Sequence, residues 1–196
     1  MRVDPHAFDD IYRDADDPWH FATSAYELDR YATTLASLSR PTYSRCFEPA
    51  CSIGVLTEGL SARVEDVVAC DGAADAIAQA RHRLVRATNV ELVVAAIPEW
   101  WPEGEFDLIV LSELGYYWDN DGWGDVIERC RMSAREDAEL IAVHWLGTSP
   151  DHVTTGQAVH AELVARFGPS DLHIERFDAA GDDGFMLDRW SVVDRG

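Results

Sequence analysis

The chain has 196 residues, 47% of them hydrophobic and 27% charged, with a formal net charge of -20. That length and apolar content suit one domain with a real core, and two full domains would be cramped. Acidity spread along the chain repels nucleic-acid phosphates, no run approaches the roughly 18 apolar residues of a membrane span, and the acidic opening lacks an apolar signal segment, so a soluble, cytoplasmic protein is expected.

After the polar opening, "TSAYELDRYATTLASLS" predicts a helix with Leu28, Tyr31, Leu35 and Leu38 on one face, and Ser24 with Glu27 forms a capping-box pattern at its start. Pro41 ends it. Short β-rich runs then alternate with helical ones: a strand near 45–48, a helix over 55–62, the strand "DVVACD", a helix over 73–86 and the strand "VELVVAA". The strand "FDLIVLS", a helix near 121–133, the strand "AELIAVHW" and a helix around 155–167 follow. Such alternation predicts parallel strands with right-handed helical crossovers on both faces of a sheet.

The tail changes character. "DLHIERF" and "FMLDRWSVV" are strand-like runs separated by the turn-rich "DAAGDDG", which predicts an antiparallel hairpin closing one edge. The expected fold class is therefore α/β, with a doubly wound, Rossmann-like, seven-stranded and mostly parallel sheet. Residues 1–196 form one domain in this reading, with 1–40 as a helical cap over the site. The four cysteines (Cys46, Cys51, Cys70, Cys130) fall singly in apolar segments without zinc-ligand spacing, so buried reduced thiols and no metal are expected.

Ligands of such sheets bind at the carboxyl ends of the strands where the strand order reverses, and "CFEPACSIG" occupies that place. A dinucleotide turn wants G-x-G-x-x-G for close approach to a pyrophosphate. Only Gly54 is present, with small Ala50 and Ser52 at the other close-approach positions. A tight turn without a phosphate cradle favours a ligand without phosphate, and S-adenosylmethionine fits. Asp71, ending the second strand about twenty residues on, is placed to accept hydrogen bonds from ribose hydroxyls.

"EPACSIG" resembles motif I of class I methyltransferases, E-x-G-x-G-x-G, with Ala50, Ser52 and Gly54 at its three glycines, and "FDLIVLSE" resembles their motif IV. The resemblance narrows further. "DDPWHFATSAYELDRY", "EPACSIGVLT", "IPEWWPEGEFDLIVLSELGYYW" and "TTGQAVHAEL" look like blocks of the nodulation protein S (NodS) family, from about Asp16 to the C-terminus. That resemblance implies the class I methyltransferase fold, S-adenosyl-L-methionine as cofactor, and methyl transfer to the free amine of an amino sugar or deacetylated chitooligosaccharide. Ala50 and the strong acidity depart from the family pattern. A small-molecule O-methyltransferase and a non-catalytic cofactor-binding module are the alternatives. A nicotinamide reductase would need the missing glycines.

The cofactor-binding residues expected on these elements are Tyr26, Glu48, Ala50, Cys51, Ser52, Gly54, Asp71, Gly72, Ala96, Ile97, Leu111 and Ser112. Methyl transfer from a sulfonium relies mainly on alignment, and an amine nucleophile must be neutral. Glu113 and His144, ending the fourth and fifth strands, are candidate proton acceptors, and Tyr117 with Tyr116 is a candidate pocket wall. His160 reads as a surface or packing residue. Trp19, Phe21, Tyr26 and Tyr31 in the opening segment, and Trp100, Trp101, Trp118 and Trp123 later, offer flat surfaces that a carbohydrate would use. The substrate's identity and the oligomeric state stay open.

Overall fold

The computed structural model describes residues 7–177 and 184–192. Seven strands form a sheet in the order β3-β2-β1-β4-β5-β7-β6, mostly parallel with antiparallel β7, as the alternating pattern and the tail predict. Among the described residues the chain falls into two compact units, one ending at residue 103 and one starting at residue 104.

The first unit contains α1 (Ala7–Asp14), α2 (Ala25–Ala36), β1 (Tyr43–Pro49), α3 (Val55–Ser61), β2 (Val64–Asp71), α4 (Ala74–Arg83) and β3 (Val90–Val94). β1 runs parallel to β2 with Glu48 beside Ala69, and β2 runs parallel to β3 with Asp71 beside Val94. The apolar runs of β1 and β2 are covered by Leu56, Leu60, Ala76, Ile77 and Ala80 of the helices, all buried. Burying Ile77 alone contributes about 1.5–3 kcal/mol.

Two expectations are corrected at the opening helices. Within the 1–40 expected to be helical, the sequence reading places no separate helix before residue 24; α1 is one, and its Phe8 and Tyr12 stand one turn apart and join a cluster with Phe21, Ile53, Ala73 and Ala76. In α2 the buried face carries Glu27, Arg30, Thr33 and Thr34, while Leu28 is 48% exposed. Ser24 stands at the N-cap without a side-chain bond. Glu27 instead pairs with Arg30, whose Nε donates to Glu27 Oε2 at 3.1 Å, and a buried guanidinium demands that partner. The carbonyls of Leu35, Arg40 and Pro41, at and beyond the end of α2, are taken by the Arg63 guanidinium.

The second unit contains β4 (Phe106–Ser112), a 3-10 turn (Gly115–Tyr117), α5 (Asn120–Ser133), β5 (Ala134–Trp145), α6 (Gly156–Phe167), β6 (Leu172–Phe177) and β7 (Gly184–Val192). β4 is buried from Phe106 to Leu111, as a central parallel strand must be. Asp119 caps α5 by accepting from Gly122 N at 3.1 Å, and Thr155 caps α6 by accepting from Ala158 N at 3.2 Å. β7 pairs antiparallel with both β5 and β6, which is the expected hairpin. The stretch proposed to join it, residues 178–183, lies outside the described residues. Trp118 and Trp123 are 7% and 2% exposed, so they fill the interior rather than offering surface. No helix among the described residues is long and apolar enough to cross a membrane.

Candidate functional site

The turn after β1 is left-handed at three positions, only one of which is glycine. Ala50, Ser52 and Gly54 have φ of 55°, 51° and 77°, all left-handed. A left-handed residue with a Cβ costs about 1–2 kcal/mol, so the surroundings must impose this conformation at Ala50 and Ser52. They do so through hydrogen bonds. Cys51 N donates to Cys70 O at 2.9 Å, Gly54 N to Cys51 O at 3.0 Å and Ser52 N to Asp71 Oδ2 at 2.9 Å. Asp71 Oδ1 also accepts from Ala73 N at 2.9 Å, so one carboxylate clamps the ends of β1 and β2 together. Burial pushes the Asp71 carboxyl above its ordinary value, with these two amide bonds acting against the shift.

Gly54 cannot be replaced as Ala50 and Ser52 have been. A Cβ there would lie 3.0 Å from Ala80 Cβ and 3.1 Å from Leu84 Cδ1, where α4 crosses the start of α3. Beneath the turn, burial raises the Glu48 carboxyl to about 8 and the neighbouring Thr57 hydroxyl offsets part of this. Neither Glu48 Oε2 nor Thr57 Oγ1 completes a hydrogen bond. Tyr12 of α1 reaches the same turn, its hydroxyl 2.5 Å from Ser52 Oγ. Its sequence signal is the i, i+3, i+4 spacing of Phe8, Ile11 and Tyr12.

The other expected cofactor residues of this unit lie around that turn's neighbours. Gly72 follows Asp71, Ala95 N donates to Asp71 O at 2.9 Å just ahead of Ala96, and Ile97 is buried. Tyr26 is half-buried on α2. Trp100 and Trp101 pack on Phe47 of β1, with centroids 6.3 and 4.9 Å away. Cys46, Cys51, Cys70 and Cys130 are free and buried, and burial pushes the thiols of Cys51, Cys70 and Cys130 up.

In the second unit, Leu111 and Ser112 lead to Glu113, another left-handed residue at φ 56°. Glu113 Oε1 accepts from Trp145 N at 2.7 Å and Oε2 from Tyr116 OH at 2.5 Å, which joins the ends of β4 and β5 to the 3-10 turn. His144 is fully buried. Its Nε2 accepts from Gly115 N at 3.1 Å, so its ring proton sits on Nδ1 and points to His160 Nε2 at 3.1 Å. His160 Nδ1 then lies 2.6 Å from Asp188 Oδ2, while Asp188 Oδ1 accepts from Ser170 and His173.

A chain of four linked side chains thus runs from half-exposed His173 through Asp188 and His160 to His144. His160 is 2% exposed, so it packs in the interior rather than at the surface. Burial opposes the Asp188 charge, yet the hydrogen bonds from His160, Ser170 and His173 win and hold its carboxyl below the usual range. Gly115 must be glycine because a Cβ would come within 2.4 Å of Val159 Cγ1 and 3.1 Å of His144 Nε2. Tyr117 is half-buried, its ring edge-on to Tyr116 at 5.0 Å.

One residue of this cluster gave no earlier signal. His152 stacks on Tyr116 at 3.9 Å and 15°, and meets Tyr117 and Trp145 edge-on at 5.5 and 6.0 Å. A lone histidine in a loop has neither periodicity nor motif to mark it. Among the described residues no group of three or more His, Cys, Asp or Glu side chains is arranged to hold a metal ion.

The family model for nodulation protein S (NodS) matches residues 7–172. The chain belongs to the nodulation protein S family. Within that family it is similar to the nodulation protein S of Rhizobium tropici, 29% identical over 86% of this chain and 71% of that one. The nodulation protein S of Bradyrhizobium diazoefficiens is 31% identical over 82% of this chain and 78% of that one. The crystal structure of N-methyltransferase NodS from Bradyrhizobium japonicum WM9 with S-adenosyl-L-homocysteine shares the fold. Its TM-score is 0.86 at 22% identity, over 96% of this chain and 98% of that one. The fold is thus that of class I methyltransferases.

Proposed function

We propose that this member of the nodulation protein S family is an S-adenosylmethionine-dependent N-methyltransferase acting on the free amine of an amino sugar or a deacetylated chitooligosaccharide-like glycan. The observation that carries the reading is the left-handed backbone at Ala50, Ser52 and Gly54, clamped by Asp71. The sequence of the turn departs from motif I, and its backbone is left-handed at all three aligned positions, which supports the reading. Left-handed residues aim successive amide groups to one side, and a turn so built accepts an uncharged nucleoside and an amino-acid tail without needing phosphates.

The residues present fit that cofactor. Glu48 keeps an unpartnered oxygen, which suits a group bringing its own hydrogen-bond donor, such as the ammonium of the amino-acid tail. Asp71 spends one lone pair of each oxygen on an amide and keeps others for ribose hydroxyls. Small Gly72 and Ala96, with buried Ile97, offer apolar contacts for the nucleoside. Tyr12 and Phe8 of α1, with Phe21, cover the turn against water.

When bound, S-adenosylmethionine supplies a methyl group already activated on a sulfonium. The protein's task is to hold a neutral amine in line with it. Glu113, held by Trp145 N and Tyr116 OH, presents a fixed carboxylate charge toward an amine, His144 holds the 3-10 turn through Gly115, and Tyr117 with Trp145 gives aromatic faces for a sugar ring. The net charge of -20 suits an amine and disfavours nucleic acid. Buried reduced thiols suit a reducing compartment such as the cytoplasm. The test is mass spectrometry after incubating the protein and donor with deacetylated chitooligosaccharides and aminoglycosides. Products heavier by one methylene, with the methyl on nitrogen, are expected. Unmodified amines across the panel, or methyl on oxygen, overturn the reading.

A further inference from the structure

We propose, resting on the methyltransferase reading above, that His152 is the group that takes the proton released when the acceptor amine is methylated. Three other side chains of the second unit could serve, and their bonds argue against them. Both oxygens of Glu113 already accept hydrogen bonds from Trp145 and Tyr116. Both ring nitrogens of His144 are taken, by Gly115 and His160, and both of His160, by His144 and Asp188. His152 is different. No described residue hydrogen-bonds to either of its ring nitrogens: Nδ1 is enclosed without a partner, and Nε2 is left open.

Its placement is fixed nonetheless. Val153 N and Thr154 N both donate to Tyr116 O, at 2.8 and 3.2 Å, and His152 N donates to Ser149 O at 3.1 Å, so the loop after β5 is tied to the 3-10 turn. The imidazole lies flat on the Tyr116 ring, and that ring's hydroxyl is in turn held by Glu113. The charged and titratable groups facing His152 are Asp151 on its own loop, Glu113 at the end of β4, and Tyr116 and Tyr117 of the turn. Burial lowers the imidazole below its ordinary value, opposed by Asp151 and Glu113. The ring therefore rests neutral at neutral pH, ready to accept a proton. Once charged, it faces two carboxylates and a tyrosine face that favour the cation.

The step balances. The amine lone pair forms the N–C bond while the C–S bond breaks and its electrons stay on sulfur. The methylated nitrogen, now a cation, gives one proton to Nε2 of His152, which returns it to water. Without this acceptor the product amine leaves charged and the next substrate amine is not deprotonated in place.

The experiment compares the unsubstituted protein with His152→Gln and His152→Ala, using glucosamine oligomers as the amine and S-adenosylhomocysteine as the binding probe. Expected are a fall in turnover of about 100-fold at pH 7, recovery of rate at higher pH, and partial rescue of His152→Ala by added imidazole. S-adenosylhomocysteine affinity should stay within about 2-fold. Variants within about 3-fold of the parent rate with the same acidic limb overturn the role of His152 alone. A parent protein that binds no S-adenosylhomocysteine and methylates no amine overturns the methyltransferase reading, and this proposal with it. Imidazole NMR of the unsubstituted protein supplies an independent check: His152 should be neutral at pH 7, and a protonated ring there also overturns the proposal.

Discussion

Between Glu48 and Gly54, seven consecutive residues build a turn whose shape is set by its own backbone and by one carboxylate, Asp71. The cluster around Glu113 is assembled differently, from a strand end, a 3-10 turn, the loop after β5, α6 and β7, with Asp188 as its far anchor. The turn tolerates Ala50 and Ser52 where glycine is the easy residue, because hydrogen bonds impose the conformation. In the cluster, by contrast, each side chain fixes the tautomer or rotamer of the next. A local site absorbs substitution as strain, and a distributed one transmits it.

If that contrast holds, the largest effect should follow from cutting the distributed chain at its anchor. Asp188→Ala strips acceptors from His160, Ser170 and His173 at once, and should destabilise folding by about 3–5 kcal/mol in urea unfolding, because buried donors are left unpaired. A loss under about 1 kcal/mol would mean the chain is not a unit.

An effect of comparable size, up to about 4 kcal/mol between pH 5 and pH 8, separates the turn from the cluster by pH. The Glu48 carboxyl sits at about 8 in the folded protein against an ordinary 4.5, so the folded state holds a proton that the unfolded chain releases between those values. The contribution is fully present below the unfolded value and is lost as pH rises through about 8, at up to about 1.4 kcal/mol per pH unit. Thermal melts of the unliganded protein should fall from pH 5 to pH 8. Glu48→Gln should flatten that slope, leaving the part due to Asp71, which is shifted in the same direction. An unchanged slope would place Glu48 in a polar environment instead.

The smallest effect is at Ala50. Ala50→Gly removes left-handed strain of about 1 kcal/mol or more and adds up to about 1 kcal/mol of unfolded-chain entropy. Stability should therefore hold or rise by up to about 1 kcal/mol. A loss of about 1 kcal/mol, as in a helix interior, would contradict the left-handed conformation.

The same contrast explains what the sequence disclosed. The succession of strands along the chain, the terminal hairpin and the position of Glu48, Ser52, Gly54 and Asp71 at or just past strand ends were readable because alternation and spacing are local signals. The α1 helix is not marked off within the expected 1–40 cap because Phe8, Ile11 and Tyr12 share a face over only two turns, among Asp9, Asp10 and Asp14 that make the segment read as a polar opening. The face of α2 that carries Leu28, Tyr31, Leu35 and Leu38 is only partly the buried one, because Glu27 and Arg30 enter the interior as a pair that apolar spacing does not mark. His152 and the Asp188 anchor could not be found from spacing, since nothing in the chain says that residues 116 and 152, or 160 and 188, will meet. The burial of Trp118 and Trp123 is invisible in spacing for the same reason.

The central claim is that a turn poor in glycine, yet left-handed at residues 50, 52 and 54, binds the nucleoside of a sulfonium donor. Calorimetric titration with S-adenosylhomocysteine tests it most directly. The account predicts micromolar binding, about -8 kcal/mol, no heat with NAD, and a loss of about 1–3 kcal/mol in a folded Asp71→Ala variant. No saturable heat from S-adenosylhomocysteine with the unsubstituted protein would contradict it.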